Sequence, residues 1–186
     1  MTSATAEEIR AELKRSANAE MADHAQRFFK TAKGQYGYGD RFLGIRVPVI
    51  RKAVRQHCMI SLEPLGRLLK SKFHEERLFA LLVMVEQFAR SDDRHRTAIY
   101  QMYLKNTRYI NNWDLVDCSA PSIVGGYLEG KDKQILYTLA ISKSLWERRI
   151  AMLAVFYQIR KRSFEDALAI AKLLLEDKED LIHKAV

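Results

Sequence analysis

The sequence predicts an all-α fold, a helical-repeat superhelix (α-solenoid) with a concave basic face. Gly occurs only 8 times and Pro 3 times in 186 residues, and apolar residues recur mainly three and four positions apart. A block also returns. EERLFALLV from Glu75 aligns with WERRIAMLA from Trp146, matching Glu76 with Glu147, Arg77 with Arg148, Ala80 with Ala151 and Leu82 with Leu153. The offset of 71 residues is two units of roughly 35, the length of a helix-pair repeat. Lys and Arg outnumber Asp and Glu by 31 to 23, a net charge of +8, which supplies the basic surface.

Each helix has its own local reason. Thr5 with Glu8 makes a capping box that opens the first helix through about Arg15, and a second runs from about Asn18 to Thr31. Lys33 to Gly44 holds four of the eight glycines and reads as the longest irregular stretch; its Tyr36, Tyr38 and Arg41 could contact a partner, but a Gly/Tyr loop is more often just a connection between helices. Pro48 suits the first turn of a third helix, VPVIRKAVRQHC. A short fourth, SLEPLGRLLKS, is capped by Ser61. The fifth, Phe73 to Ala89, is apolar nearly all round through LFALLVMV and belongs in the interior. DDRHRTAIYQMYLKN, NWDLVDCSAPSIVGGYLE with a kink at Pro121, DKQILYTLAIS, SLWERRIAMLAVFYQIRK and SFEDALAIAKLLLE follow, and KEDLIHKAV opens a last helix.

Composition narrows the function classes. With 48% hydrophobic and 29% charged residues the chain suits one domain with a substantial core. A sequence pI near 9.5 makes a polyanion the natural partner, nucleic acid first and anionic membrane second. Cys58 and Cys118 belong to no CxxC or Cys/His pattern, and His24, His57, His74, His95 and His183 show no HExxH spacing. No metal is expected, and without a Gly-rich phosphate loop no nucleotide cofactor either. MTSATAEEIRAELKRS lacks the apolar stretch of a signal peptide and no run is long enough to span a bilayer, so a cytoplasmic protein is expected.

One stretch carries chemistry. In YINNWDLVD, Trp113 and Asp117 stand at i and i+4, on one helical face. Arg149 follows Trp113 by 36 residues, close to one repeat, so a solenoid would set the two side by side. Taken singly, each has a plain reading. Asp114 and Asp117 favour a helix N-terminus, Trp113 suits a core and Arg149 a solvated surface, and spacing alone favours those readings.

The ordered set of blocks changes the balance. WDLVD with Pro121 four residues on, WERRIAM one repeat later, FLGIRVPVIRKAVR from Phe42 and FHEERLFALLVMV from Phe73 together resemble the AlkD family of bacterial DNA alkylation-repair proteins, which are HEAT-like repeat DNA glycosylases. The likeness runs from about residue 20 onward. It implies that Asp117 is the catalytic carboxylate, that Trp113 contacts the lesion base or sugar, and that Arg149 belongs to the same site. The family's pattern continues past an IHKAV-like segment with Gly-Trp and a Leu-Arg-Glu run that supplies a second aromatic wall, whereas this sequence stops at Val186. The expectation is therefore one HEAT-like domain over 1–186, shortened at its C-terminus.

The implied activity is hydrolysis of the N-glycosidic bond of positively charged N3- or N7-alkylated purines in duplex DNA, by a monomer that leaves the base in the stack. A carboxylate suits it by opposing the charge that develops on the sugar and by holding a water. A Trp face attracts a cationic base. Arg149 can clamp a phosphate or Asp117, and phosphate is preferred because a guanidinium on Asp117 would offset the charge that catalysis uses. Arg148, Arg46, Lys105, Arg108 and Lys161, with Arg51, are further candidates for the DNA backbone, as a group rather than one by one. Two other classes compete: a non-catalytic HEAT-like module that binds DNA structure or an acidic protein, and a basic membrane-surface binder, which lacks a helix pairing a basic face with a large exposed apolar one.

Overall fold

The computed structural model describes residues 4–186. Every regular element among them is helical, and the lone backbone bridge joins Arg41 to Phe73. The all-α helical-repeat class read from the sequence holds. The helices gather into two compact units, one up to Arg90 and one from Ser91. No helix among the described residues is long and apolar enough to cross a membrane.

In the first unit, α1 (Ala6–Arg15) opens on the predicted box: Glu8 N–H donates to Thr5 Oγ1 at 3.2 Å and Thr5 N–H to Glu8 Oε2 at 2.7 Å. Asn18 caps α2 (Ala19–Phe28) by accepting from Met21 N–H at 2.9 Å. This helix stops short of Thr31 because Lys30 takes a left-handed φ of 52°, which no continuing helix allows. Pro48 lies in the first turn of α3 (Val47–Gln56), as the sequence requires. α4 (Leu62–Leu69) and α3 both pack on α5 (His74–Arg90), whose residues from His74 to Met84 are all buried.

The charged residues buried at the start of α5 fasten the Gly/Tyr loop. Glu75 accepts N–H groups from Leu43 and Gly44 at 2.8 Å and Ile45 at 3.2 Å. Asp40, equally buried, takes Arg77 Nη2 at 2.7 and 2.8 Å and faces His74 Nδ1 at 3.0 Å. Burial works to raise the Asp40 carboxyl, but the His74 hydrogen bond and the Arg77 charge together hold it below its usual range. Gly44 is required where it stands: its φ is +75°, and a Cβ there would collide with the Asn18 carbonyl and Ala22 N.

The second unit holds α6 (Asp93–Lys105), α7 (Trp113–Asp117), α8 (Gln134–Ala140), α9 (Leu145–Ala154), α10 (Phe156–Arg160), α11 (Glu165–Leu174) and α12 (Asp180–His183). α9 lies at its centre, against α7, α8, α11 and α12. Its Ile150, Ala151, Ala154 and the following Val155 are fully buried.

Two helices predicted as continuous are interrupted. In the stretch 112–129, α7 ends at Asp117 and the chain widens into a π segment over Pro121–Gly125, rather than bending at Pro121 alone. Pro121 has no N–H to give the preceding turn, and a π segment is one way of absorbing the missing bond. The stretch 144–161 breaks at Val155 into α9 and α10. The breaks face each other: Gly125 lies against the Ala154 carbonyl and Tyr157, and Gln158 Nε2 donates to Gly125 O at 3.1 Å.

The 71-residue repeat is visible as matched bonding at the starts of α5 and α9. Ser71 Oγ accepts Phe73 N–H at 3.0 Å, and Ser142 Oγ accepts Ser144 N–H at 3.1 Å. Arg77 Nη1 donates to Ser71 O and Arg148 Nη1 to Ser142 O, each at 3.0 Å.

Candidate active site around Asp117

Within that repeated framework, the aligned copies differ at two positions that matter. Glu75 is replaced by Trp146 and Leu78 by Arg149, so Arg149 is an addition to the scaffold rather than part of it. The loop leading to α7 is tied to the first turn of α9. Thr107 Oγ1 donates to Glu147 Oε1 at 2.7 Å and Ser142 Oγ to Glu147 Oε2 at 2.5 Å, which fixes that loop beside the helix that carries Arg149. Behind α7, Ser119 Oγ donates to Leu115 O at 2.5 Å and takes the Tyr103 hydroxyl at 3.0 Å; burial pushes the Tyr103 phenol up, so it stays a neutral donor.

Asn112 caps α7, its Oδ1 accepting Trp113 N–H at 2.9 Å. Asn112 is fully buried, and its Nδ2 has no partner among the described residues; nor does Asn111 Oδ1. One turn on, the Asp117 side chain is 33% exposed, whereas that of Arg149 is only 7% exposed. Arg149 Nε donates to Asp117 Oδ1 and Nη2 to Oδ2, both at 2.8 Å, and Nη1 donates to the Leu181 carbonyl of α12.

Arg149 is therefore joined to Asp117, 32 residues away, whereas the repeat spacing of 36 residues sets it beside Trp113. The expectation gave Arg149 to a phosphate in preference to Asp117. In the structure its fork is closed on Asp117 and its third nitrogen on main chain, which is how a buried guanidinium avoids an unmatched charge. Arg148 is likewise taken up: Nε and Nη2 fork onto Asp177 at 2.6 and 3.1 Å. Burial works to raise Asp177, but Arg148 and the Glu179 N–H together hold it below its usual range.

Of the other backbone candidates in this unit, Lys105 is exposed at the end of α6, and Arg108 lies over the Tyr109 ring while bonding its hydroxyl at 2.5 Å. Lys161 pairs with Glu129 at 3.3 Å. Arg46 is exposed at the N-cap of α3 in the first unit. No group of three His, Cys, Asp or Glu that could hold a metal exists among the described residues.

Sequence reasoning did not find the Leu181 carbonyl, the Glu147 tie or the Tyr103–Ser119 pair. A main-chain acceptor leaves no sequence signal. Glu147 did have one, since it repeats Glu76, but repetition alone marks scaffold and site residues equally.

Fold and site define a helical-repeat protein that presents a half-buried carboxylate, oriented by a buried arginine, one turn after a tryptophan. Residues 9–186 match the family described as DNA alkylation repair enzyme, and the chain belongs to that family. A solved structure described as a predicted DNA alkylation repair enzyme from Enterococcus faecalis is similar in fold, with a TM-score of 0.63 at 16% identity, over 91% of this chain and 79% of that one. No functionally curated protein is significantly similar in sequence. Membership implies an enzyme of DNA alkylation repair, and hence binding to DNA.

Proposed function

We propose that the protein is a monofunctional DNA glycosylase that hydrolyses the N-glycosidic bond of N3- or N7-alkylated purines in duplex DNA, acting as a cytoplasmic monomer without flipping the base. The observation that supports this best is the Asp117 carboxylate, held at both oxygens by Arg149 yet one-third open to solvent. Each carboxylate oxygen has more than one lone pair, so a fork from one side leaves acceptor capacity on the other.

The alkylated purine already carries positive charge and leaves without protonation. The C1′–N9 bond breaks with its electron pair going to N9, which makes the departing base neutral. Asp117 opposes the charge left on the sugar, orients the water that adds to C1′ and takes the proton that water loses. Trp113 packs against the lesion base or sugar. Arg149 is a positioning residue, fixing both carboxylate oxygens through a planar fork. Lys105, Arg108, Lys161, Arg148 and Arg46 remain the proposed phosphate contacts, with Arg148 and Lys161 exchanging a carboxylate for a phosphate on binding.

The test is single-turnover release of N7-methylguanine from a methylated duplex. Asp117→Asn should slow release by about 10²-fold or more with folding intact; full activity in that variant refutes the mechanism. The fork on Asp117 also favours a second reading, a non-catalytic module that binds DNA structure through a structural ion pair. That reading requires tight duplex binding and no release from either protein.

A further inference from the structure

α7 is too short to aim its own carboxylate. The residues from Trp113 to Asp117 make little more than one turn, and a helix of that length is not stable in water by itself. Asn112 caps its front end, and Arg149 is the partner of the Asp117 side chain. The rear of the turn, where Asp117 stands, is held by buried hydroxyls that the reaction scheme above leaves unused.

The chain leaves α-helical geometry immediately after Asp117. Ser119 N–H turns to the Val116 carbonyl, three residues back, at 3.1 Å. A continuing α-helix would pair that N–H with the Leu115 carbonyl. The Ser119 side chain takes its place: Oγ donates to Leu115 O at 2.5 Å, with Cys118 Sγ a weaker donor at 3.4 Å. A serine hydroxyl has one hydrogen, and Leu115 uses it, so the Tyr103 hydroxyl 3.0 Å away is the donor in its own bond to Ser119. Tyr103, Leu115 and Ser119 are all fully buried, which shuts out water as a substitute for either bond.

The far end of this relay is fixed as well. Tyr103 lies near the end of α6, where Asn106 N–H donates to the Tyr103 carbonyl at 3.0 Å and Asn106 Nδ2 to the Met102 carbonyl at 2.8 Å. Thr107 then ties the next turn to Glu147 of α9, the helix that carries Arg149. Both members of the ion pair are thus set from one frame, Arg149 directly on α9 and Asp117 through α6.

We propose that Tyr103 and Ser119 are positioning residues for base release: acting through the Leu115 carbonyl, they fix the last turn of α7 and with it the direction of the Asp117 carboxylate. This rests on the glycosylase reading of Asp117. Misplacing a reacting group by about 1 Å costs on the order of 10²-fold in rate, so a turn loosened by one lost hydroxyl is felt in release before it is felt in binding.

The test is single-turnover release of N7-methylguanine with enzyme in saturating excess, beside fluorescence anisotropy with the same duplex. Tyr103→Phe keeps the buried ring and removes only the hydroxyl; it should slow release about tenfold. Ser119→Ala removes both bonds and should slow it further. Duplex affinity should stay that of the parent in each. Because Tyr103 acts through Ser119, the double variant should be no slower than Ser119→Ala alone. Ile50→Val, a buried change on α3 that lowers stability far from Asp117 in the sequence, should release base as the parent does. Unchanged release by Tyr103→Phe, effects that multiply in the double variant, or an equal loss in the control overturns the proposal. So does a loss of duplex affinity as large as the loss of release.

A second readout does not need base release. The Arg149 Nε–H that donates to Asp117 gives its own nitrogen–proton NMR signal, which should shift and exchange faster with water in Tyr103→Phe and Ser119→Ala and stay in place in Ile50→Val. A parent that releases no base refutes the glycosylase reading alone, whereas a signal unmoved in both variants refutes the positioning role.

Discussion

At the scale of single residues, the Asp117–Arg149 pair makes a prediction that separates geometry from charge. Arg149→Lys keeps the positive charge and loses the planar two-bond fork, leaving one oxygen unoriented. N7-methylguanine release should fall about 10-fold to 100-fold for a loss of some 1–3 kcal/mol of positioning, with duplex affinity little changed. Unchanged release would show that only charge is needed there. Arg149→Ala should in addition lower stability by about 1–3 kcal/mol in urea titration, because the Leu181 carbonyl and Asp117 lose their donors, the cost being moderated by the solvent access of Asp117. Spacing and resemblance single out Trp113, Asp117 and Arg149, and the structure joins two of them, Asp117 and Arg149. Which of its two candidate partners Arg149 takes was not legible. A guanidinium with both a carboxylate and a phosphate in reach is assigned by what else its nitrogens meet, and the deciding acceptor is main chain 32 residues away.

Among the elements, starts were easier to read than ends. Thr5, Asn18, Asp92 and Ser144 each accept from a backbone N–H three residues on, and such caps are written locally. The interruptions at Pro121–Gly125 and Val155 depend on two helices meeting, which no window of one helix contains. Gly125 marks that meeting, since any Cβ there runs into the Ala154 carbonyl and Tyr157. Gly125→Ala should therefore destabilise by about 1–3 kcal/mol despite the better helix propensity of Ala, and a gain in urea midpoint would refute the close packing. The latch on the Gly/Tyr loop was equally hidden, because Asp40 and Arg77 are 37 residues apart. Its carboxyl is held below the ordinary value, so its stabilisation is present above the unfolded-chain value of about 3.9 and is lost as pH falls through the folded one. Parent and Asp40→Asn should differ most in urea midpoint near neutral pH and converge below about pH 4. A gap that stays constant down to acid pH would mean the latch does not depend on the ionised form.

For the whole molecule, the repeat and the net charge were both legible, and the placement of that charge was legible only once burial was known. Up to Arg90 there are 16 Lys and Arg against 10 Asp and Glu, and from Ser91 there are 15 against 13. In the first part the exposed excess is concentrated further, because Asp40, Glu75 and Glu76 are buried. A surface of unpaired like charges repels itself, and salt screens that repulsion over a Debye length of about 8–10 Å near physiological ionic strength. The free protein should consequently melt higher as monovalent salt rises from low levels. Bound duplex DNA adds its own negative charge to a basic protein, and at 100-fold excess over Kd it should add about 2.7 kcal/mol, or roughly 5–10 °C in thermal midpoint. Salt weakens that binding, so the midpoint with duplex should fall while the midpoint without it rises, until the two curves meet. Circular dichroism melts with and without an undamaged duplex across a salt series would show it. Parallel curves would mean that the basic excess is neither a self-repulsive load on the fold nor the surface that holds DNA.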